Sequence, residues 1–211
     1  MLTDIEKIIF ILLALTAVGI SYTTFNKMFK AIGVGSQQID WKRALLNFPK
    51  GLEVFISQRT MFKTRPIIGF IHAIVAWGFT LYLVVNVVDV LYGFIPGFHF
   101  FPNYFIGKAY RLFVDIFTVL VLLGVVYFLV RRFIFKDYRL IINEPVMLNE
   151  RAKKGMRNVS LIVGLFILLH VGSRLLAASF EIARNGSDTF QPAATTIAVS
   201  YTHLRAHETS A

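Results

Sequence analysis

An all-α fold, a polytopic bundle of transmembrane helices, is what this sequence predicts, and three observations predict it. Of 211 residues, 56% are hydrophobic and only 16% charged, with a mean hydropathy of +0.64; a soluble chain of this size charges roughly a quarter of its residues to cover its surface. Four segments supply the roughly 20 apolar residues needed to cross a hydrocarbon layer about 30 Å thick. Basic residues gather between those segments, where the ends of membrane spans hold them.

The first span covers about residues 8–25. Ahead of it, Thr3 and Glu6 stand at capping-box spacing, and Asp4 and Glu6 place negative charge where a helix start favours it. A signal peptide is a poor description, because two acids oppose one lysine before the apolar run and no small-residue cleavage pattern follows. The second span runs over about 66–91 from Pro66, a good first helical residue. The third covers about 109–130 and the fourth about 159–180. With no cysteine, the chain holds no disulfide and no iron–sulfur cluster of its own.

Charge sets the expected orientation. Segment 26–65 carries eight basic residues against Asp40 and Glu53, and segment 131–157 carries eight more against Asp137, Glu144 and Glu150. The connection at 92–105 has no Lys, Arg, Asp or Glu. Sixteen of 22 basic residues therefore fall on one side, which the positive-inside rule assigns to the cytoplasm, with the N-terminus outside. A formal charge of +10 then reads as orientation and as attraction for anionic lipid or an acidic partner, not as nucleic-acid binding.

Residues 199–209, VSYTHLRAHET, depart from this pattern. They resemble the translation, in one reading frame, of the transposase-end adapter used in DNA sequencing libraries. On that reading 1–198 is the membrane domain, 199–211 is an artefact tail, and the natural chain is expected to continue past Ala198 into a truncated fifth span. The spacing of His203 and His207, otherwise suited to a metal, is set aside with the tail.

His72, His99 and His170 remain, and two of them are intramembrane. An imidazole in hydrocarbon has a donor and an acceptor to satisfy, so each is a candidate site. His72 shares a helix face with Gly69, and a small residue there would admit a flat macrocycle or a neighbouring helix. Ligation of haem iron and a hydrogen bond to the next helix both remain open for His72. His99, in an aromatic connection, reads as a surface residue.

The stretch QRTMFKTRPIIGFIHAIVAWGF at 58–79 resembles the N-terminal membrane part of heterodisulfide-reductase-related iron–sulfur oxidoreductases, itself similar to the gamma subunit of respiratory nitrate reductase. VRRFIFKDYRL at 130–140 and GSRLLAASFEIARNG at 172–186 support the likeness, which extends over most of 1–198. The resemblance implies a multi-pass protein of a bacterial or archaeal inner membrane, with His72 as an axial ligand of haem b. It also implies quinone and a cytoplasmic iron–sulfur domain as partners, the clusters belonging to a C-terminal part beyond this chain. Depth places His72 about 9 Å and His170 about 16 Å inside the basic boundary, so the missing fifth span is the expected source of the ligand opposite His72. His170 would ligate a second haem or hydrogen-bond structurally.

Arg174, one turn after His170, is placed to meet a haem propionate or a quinone carbonyl, but an ion pair with Asp89, Asp115 or Glu181 is the preferred reading. Asn86 would bond across helices, Trp77 and Tyr82 would pack, and Trp41 and Tyr92 would anchor at the interface. The function expected is electron transfer between the quinone pool and an iron–sulfur module through haem b, as the membrane module of an oxidoreductase. The alternatives are a haem-free anchor for a redox subunit and a small transporter or channel bundle.

Overall fold

The computed structural model describes residues 2–34, 40–101, 104–136 and 150–208, the side chains of 150–154 and 203–208 aside. Every element among these residues is helical: α1 (Asp4–Gly33), α2 (Trp41–Ser57), α3 (Arg59–Thr64), α4 (Pro66–Phe94), α5 (Phe105–Leu129), a π-helical turn (Val130–Ile134), α6 (Glu150–Asn185) and α7 (Pro192–Glu208). Four are long and apolar enough to cross a membrane: Asp4–Gly33, Pro66–Phe94, Phe105–Ile134 and Gly155–Asn185. All four expected spans are present, each continuing beyond the apolar stretch that marks it. Backbone hydrogen bonding carries a helix past its hydrophobic limit until a cap or breaker stops it.

α1 starts as its sequence dictates. Thr3 Oγ1 accepts from the Glu6 amide, and the Glu6 carboxylate accepts from the Thr3 amide at 2.7 Å, the reciprocal capping box. The Leu2 amide donates to the Gly93 carbonyl at 3.1 Å and Phe10 meets Phe94 edge-on, so the N-terminus lies beside the far end of α4. No residue of α1 is buried, which leaves an apolar helix facing its surroundings on every side.

α4, α5 and α6 form the packed core. A cluster of Tyr82, Val85, Val114, Val121, Val125 and Val171 lies at its centre. Glycines set how closely α4 and α5 approach: a Cβ on Gly78 would run into the Val121 side chain, and one on Gly124 would lie 2.6 Å from Val75. Gly164 gives α6 the same access to Leu129 at 2.6 Å. These contacts bring together the small residues that a lipid-facing helix uses when apolar burial supplies little drive for association.

The corner between α6 and α7 is built from polar groups. Gly186, at φ +102°, ends α6 in the left-handed conformation that favours glycine, its amide donating to the Ile182 carbonyl at 2.8 Å. Asp188 accepts from the Phe190 amide at 2.9 Å and from Arg111 Nε of α5 at 2.9 Å. Asp115, only 4% exposed, accepts from the amides of Ala193 and Ala194 at 2.7 and 3.1 Å. A buried carboxylate is thereby matched to the first free amides and positive dipole end of α7. Ala194 and Ala198 then pack on Ile182.

Two expectations from the sequence change. Residues 199–208 are expected to lie outside any regular period, yet α7 runs through them without interruption from Pro192. A helix already nucleated at Pro192 propagates through residues with ordinary helix propensity at little cost. Segment 26–65, expected as a connection, contains α2 and α3, and segment 131–157 opens with the π-helical turn; residues 137–149 of the latter lie outside the described residues.

Candidate functional site

α4 carries the two candidate layers, one near its start and one near its end. In the first, Gln58 adopts a left-handed conformation at φ 49°, turning the chain between α2 and α3. α3 then lies against α4 so closely that a Cβ on Gly69 would be 2.9 Å from the Met61 carbonyl carbon and oxygen. Of the two neighbours that Gly69 could admit, it admits a backbone and not a macrocycle, because the Met61 carbonyl already fills the space.

His72, on the next turn of the same face, is exposed at the bundle surface. Its ring meets Phe128 of α5 edge-on, with centroids 6.3 Å apart. Neither ring nitrogen has a hydrogen-bond partner among the described residues. The hydroxyl or carbonyl that a purely structural histidine would need from the next helix is thus not supplied there.

The second layer is polar and internally paired. His170 Nε2 lies 3.3 Å from Asn86 Oδ1, a hydrogen bond when the ring carries its proton on that nitrogen. The His170 ring stacks on Phe166, with 2° between planes, and meets Tyr82 edge-on. One turn on, Arg174 grips Asp89 with Nε to Oδ2 at 2.9 Å and Nη2 to Oδ1 at 3.2 Å. Arg174 is therefore ion-paired within the bundle, and of Asp89, Asp115 and Glu181 it is Asp89 that pairs with it. Tyr82 OH meets Thr118 Oγ1 at 2.6 Å, while Thr118 Oγ1 donates to the Val114 carbonyl, so the tyrosine is the donor of the pair.

Between these side chains α4, α5 and α6 leave a groove of about 190 Å³, lined by Phe79, Tyr82, Asn86, Phe166 and His170 among others. It is apolar except where His170, Asn86 and Tyr82 reach its wall. Asp115 is committed to the start of α7, and Glu181 is exposed. His99 is exposed as expected, its Nδ1 3.0 Å from the Gly97 carbonyl and its ring edge-on to Tyr92.

The two intramembrane histidines are not brought together. His170 is level with Asn86, which lies 14 residues beyond His72 on α4, about 21 Å along the axis. The separation has the expected sign but is about three times the expected depth difference. A span starting at residue 159 is too short: α6 begins at Glu150 and rises further before it reaches His170.

Trp77 and Tyr82 do more than the packing expected of them. Trp77 Nε1 donates to the Ile56 carbonyl at 2.9 Å, and Tyr82 donates to Thr118. An indole or phenol in a span needs an acceptor, and that requirement is the available signal. Among the described residues no group of three or more His, Cys, Asp or Glu is placed to hold a metal ion. Compared with family models, curated proteins and solved structures, the chain matches none of them.

Proposed function

We propose that the bundle is the membrane electron-transfer module of an iron–sulfur oxidoreductase, with haem b held through His72 and electrons exchanged with the quinone pool. The observation that carries the reading is the state of His72: an imidazole inside a span, exposed at the bundle surface, with no hydrogen-bond partner among the described residues. A polar group left without a partner in hydrocarbon costs several kcal/mol, and coordination to iron would relieve it. The resemblance of residues 58–79 to the membrane part of heterodisulfide-reductase-related oxidoreductases favours the same assignment.

Haem b, when bound, supplies the one-electron chemistry; the chain supplies a ligand, a dry environment and an orientation. His72 would hold the haem, with Phe128 meeting its ring edge-on. His170, about 21 Å away along α4, would not share that haem with His72. The Asn86–His170 and Asp89–Arg174 pairs hold the other layer, where the adjoining groove would receive a flat, weakly polar quinone ring. Sixteen basic residues lie in the two segments that the positive-inside rule assigns to the cytoplasm, and α4 starts from one of them, which would turn the His72 layer toward an iron–sulfur partner there.

Membrane vesicles containing the haem-loaded protein test the quinone link. A membrane-soluble quinol should reduce the haem, seen as growth of the reduced α band. Reduction by dithionite but never by quinol would overturn the exchange with quinone while leaving haem ligation standing.

A further inference from the structure

α2 is a 17-residue helix without one buried residue, and its composition is sharply divided around the axis. Trp41, Leu45, Phe48, Leu52, Phe55 and Ile56 recur at helical spacing and share one face. Each is exposed, from 44% at Leu52 to 76% at Leu45, although six large apolar side chains on one face of a helix are normally covered. Lys42, Arg43, Asn47, Lys50 and Ser57 lie around the rest of the circumference, with Leu46 and Val54 among them. The single acid there, Glu53, is paired with Arg59 at 2.9 Å, and Asp40 is spent on capping, accepting from the Arg43 amide at 2.9 Å.

The chain's connectivity decides what covers the apolar face. α2 lies between two spans, seven residues after α1 and one short helix before α4. Its end is held against α4 by the bond from Trp77 to the Ile56 carbonyl, and its start by contact of Trp41 with Phe29 of α1, ring centroids 6.5 Å apart. A helix tied at both ends to membrane spans cannot leave the bilayer, so acyl chains are the apolar medium within reach. Lys27, Lys30, Lys63 and Arg65 lie on the flanking segments and extend the positive field of Lys42, Arg43 and Lys50.

We infer that α2 is an in-plane membrane helix, its apolar face seated in the acyl region and its basic face bound to anionic lipid headgroups. This is the arrangement in which buried apolar area and electrostatic attraction act together. It borders the His72 layer, since Ile56 is fixed to Trp77, five residues beyond His72 on α4. The assignment rests on the membrane character of the spans and is independent of haem.

The absence of cysteine makes the test direct. Spin labels on Leu45→Cys, Phe48→Cys and Asn47→Cys, each in the full chain in phosphatidylcholine vesicles with or without phosphatidylglycerol, report access to oxygen and to a water-soluble nickel chelate. Labels at 45 and 48 should be open to oxygen and closed to the chelate, with the label at 47 showing the reverse. Phosphatidylglycerol should deepen the first two, and Lys42→Gln, Arg43→Gln and Lys50→Gln together should abolish that shift. Chelate access at 45 and 48 equal to that at 47 would overturn immersion. Closure to both reagents would assign the face to a second copy or a protein partner, and immersion indifferent to phosphatidylglycerol would overturn headgroup recognition.

Discussion

Asp89 and Arg174 meet through two parallel hydrogen bonds of 2.9 and 3.2 Å, the fork geometry that suits guanidinium to carboxylate. Each charge is tolerable in a span because the other is there. Asp89→Ala should therefore destabilise the bundle by up to about 3 kcal/mol, the scale of an arginine left alone in a helix that spans lipid. Replacing both residues, as Asp89→Ala with Arg174→Leu, should return much of that loss, since the desolvated charge goes too. Thermal unfolding of the singles and the double in detergent checks this; losses that simply add would show that the pair is not coupled. The pair is legible in the sequence because an arginine in an apolar span demands an acid on a neighbouring helix, and few acids lie in reach. Tyr82 with Thr118 is not, since choosing among several hydroxyls requires the register of α4 against α5, which no local pattern encodes.

Spans announce themselves at the scale of the element, because some 20 consecutive apolar residues suit a membrane crossing and little else. The ends of α4 and α5 are less legible than their existence, and the early start of α6, at Glu150, changes the depth of His170. α2 is hidden because its charges break the apolar run, though Trp41, Leu45, Phe48 and Leu52 repeat every three or four residues. The π-helical turn at Val130–Ile134 has no signal in the sequence that we can identify. Packing between elements yields a sharper expectation. In Gly78→Ala the new methyl meets Val121, whose branched side chain has little rotamer freedom in a helix. Overpacking of roughly 1–3 kcal/mol should exceed the roughly 1 kcal/mol gained from alanine's helix propensity. A lower unfolding temperature for Gly78→Ala, partly recovered by adding Val121→Ala, is the expected result; a rise with the single change would show that α4 and α5 are not tightly apposed there.

Taken whole, the molecule pairs charges that its spans carry, Asp89 with Arg174 and Arg111 with Asp188. The Leu2–Gly93 hydrogen bond sets the N-terminus beside the end of α4 that leads into the charge-free connection. Along α4 lie one histidine without a hydrogen-bond partner among the described residues and an asparagine that bonds to the other, on α6. On our account a single ligand from the four spans meets haem iron, so the isolated chain should accept haem fully only when a second ligand is supplied. Titration of the detergent-purified chain with ferric haem, without and with added imidazole, measures this most directly. We expect a high-spin spectrum that becomes six-coordinate and low-spin with imidazole, abolished by His72→Ala and retained in His170→Ala. The same spectra from His72→Ala as from the unaltered chain would contradict the account.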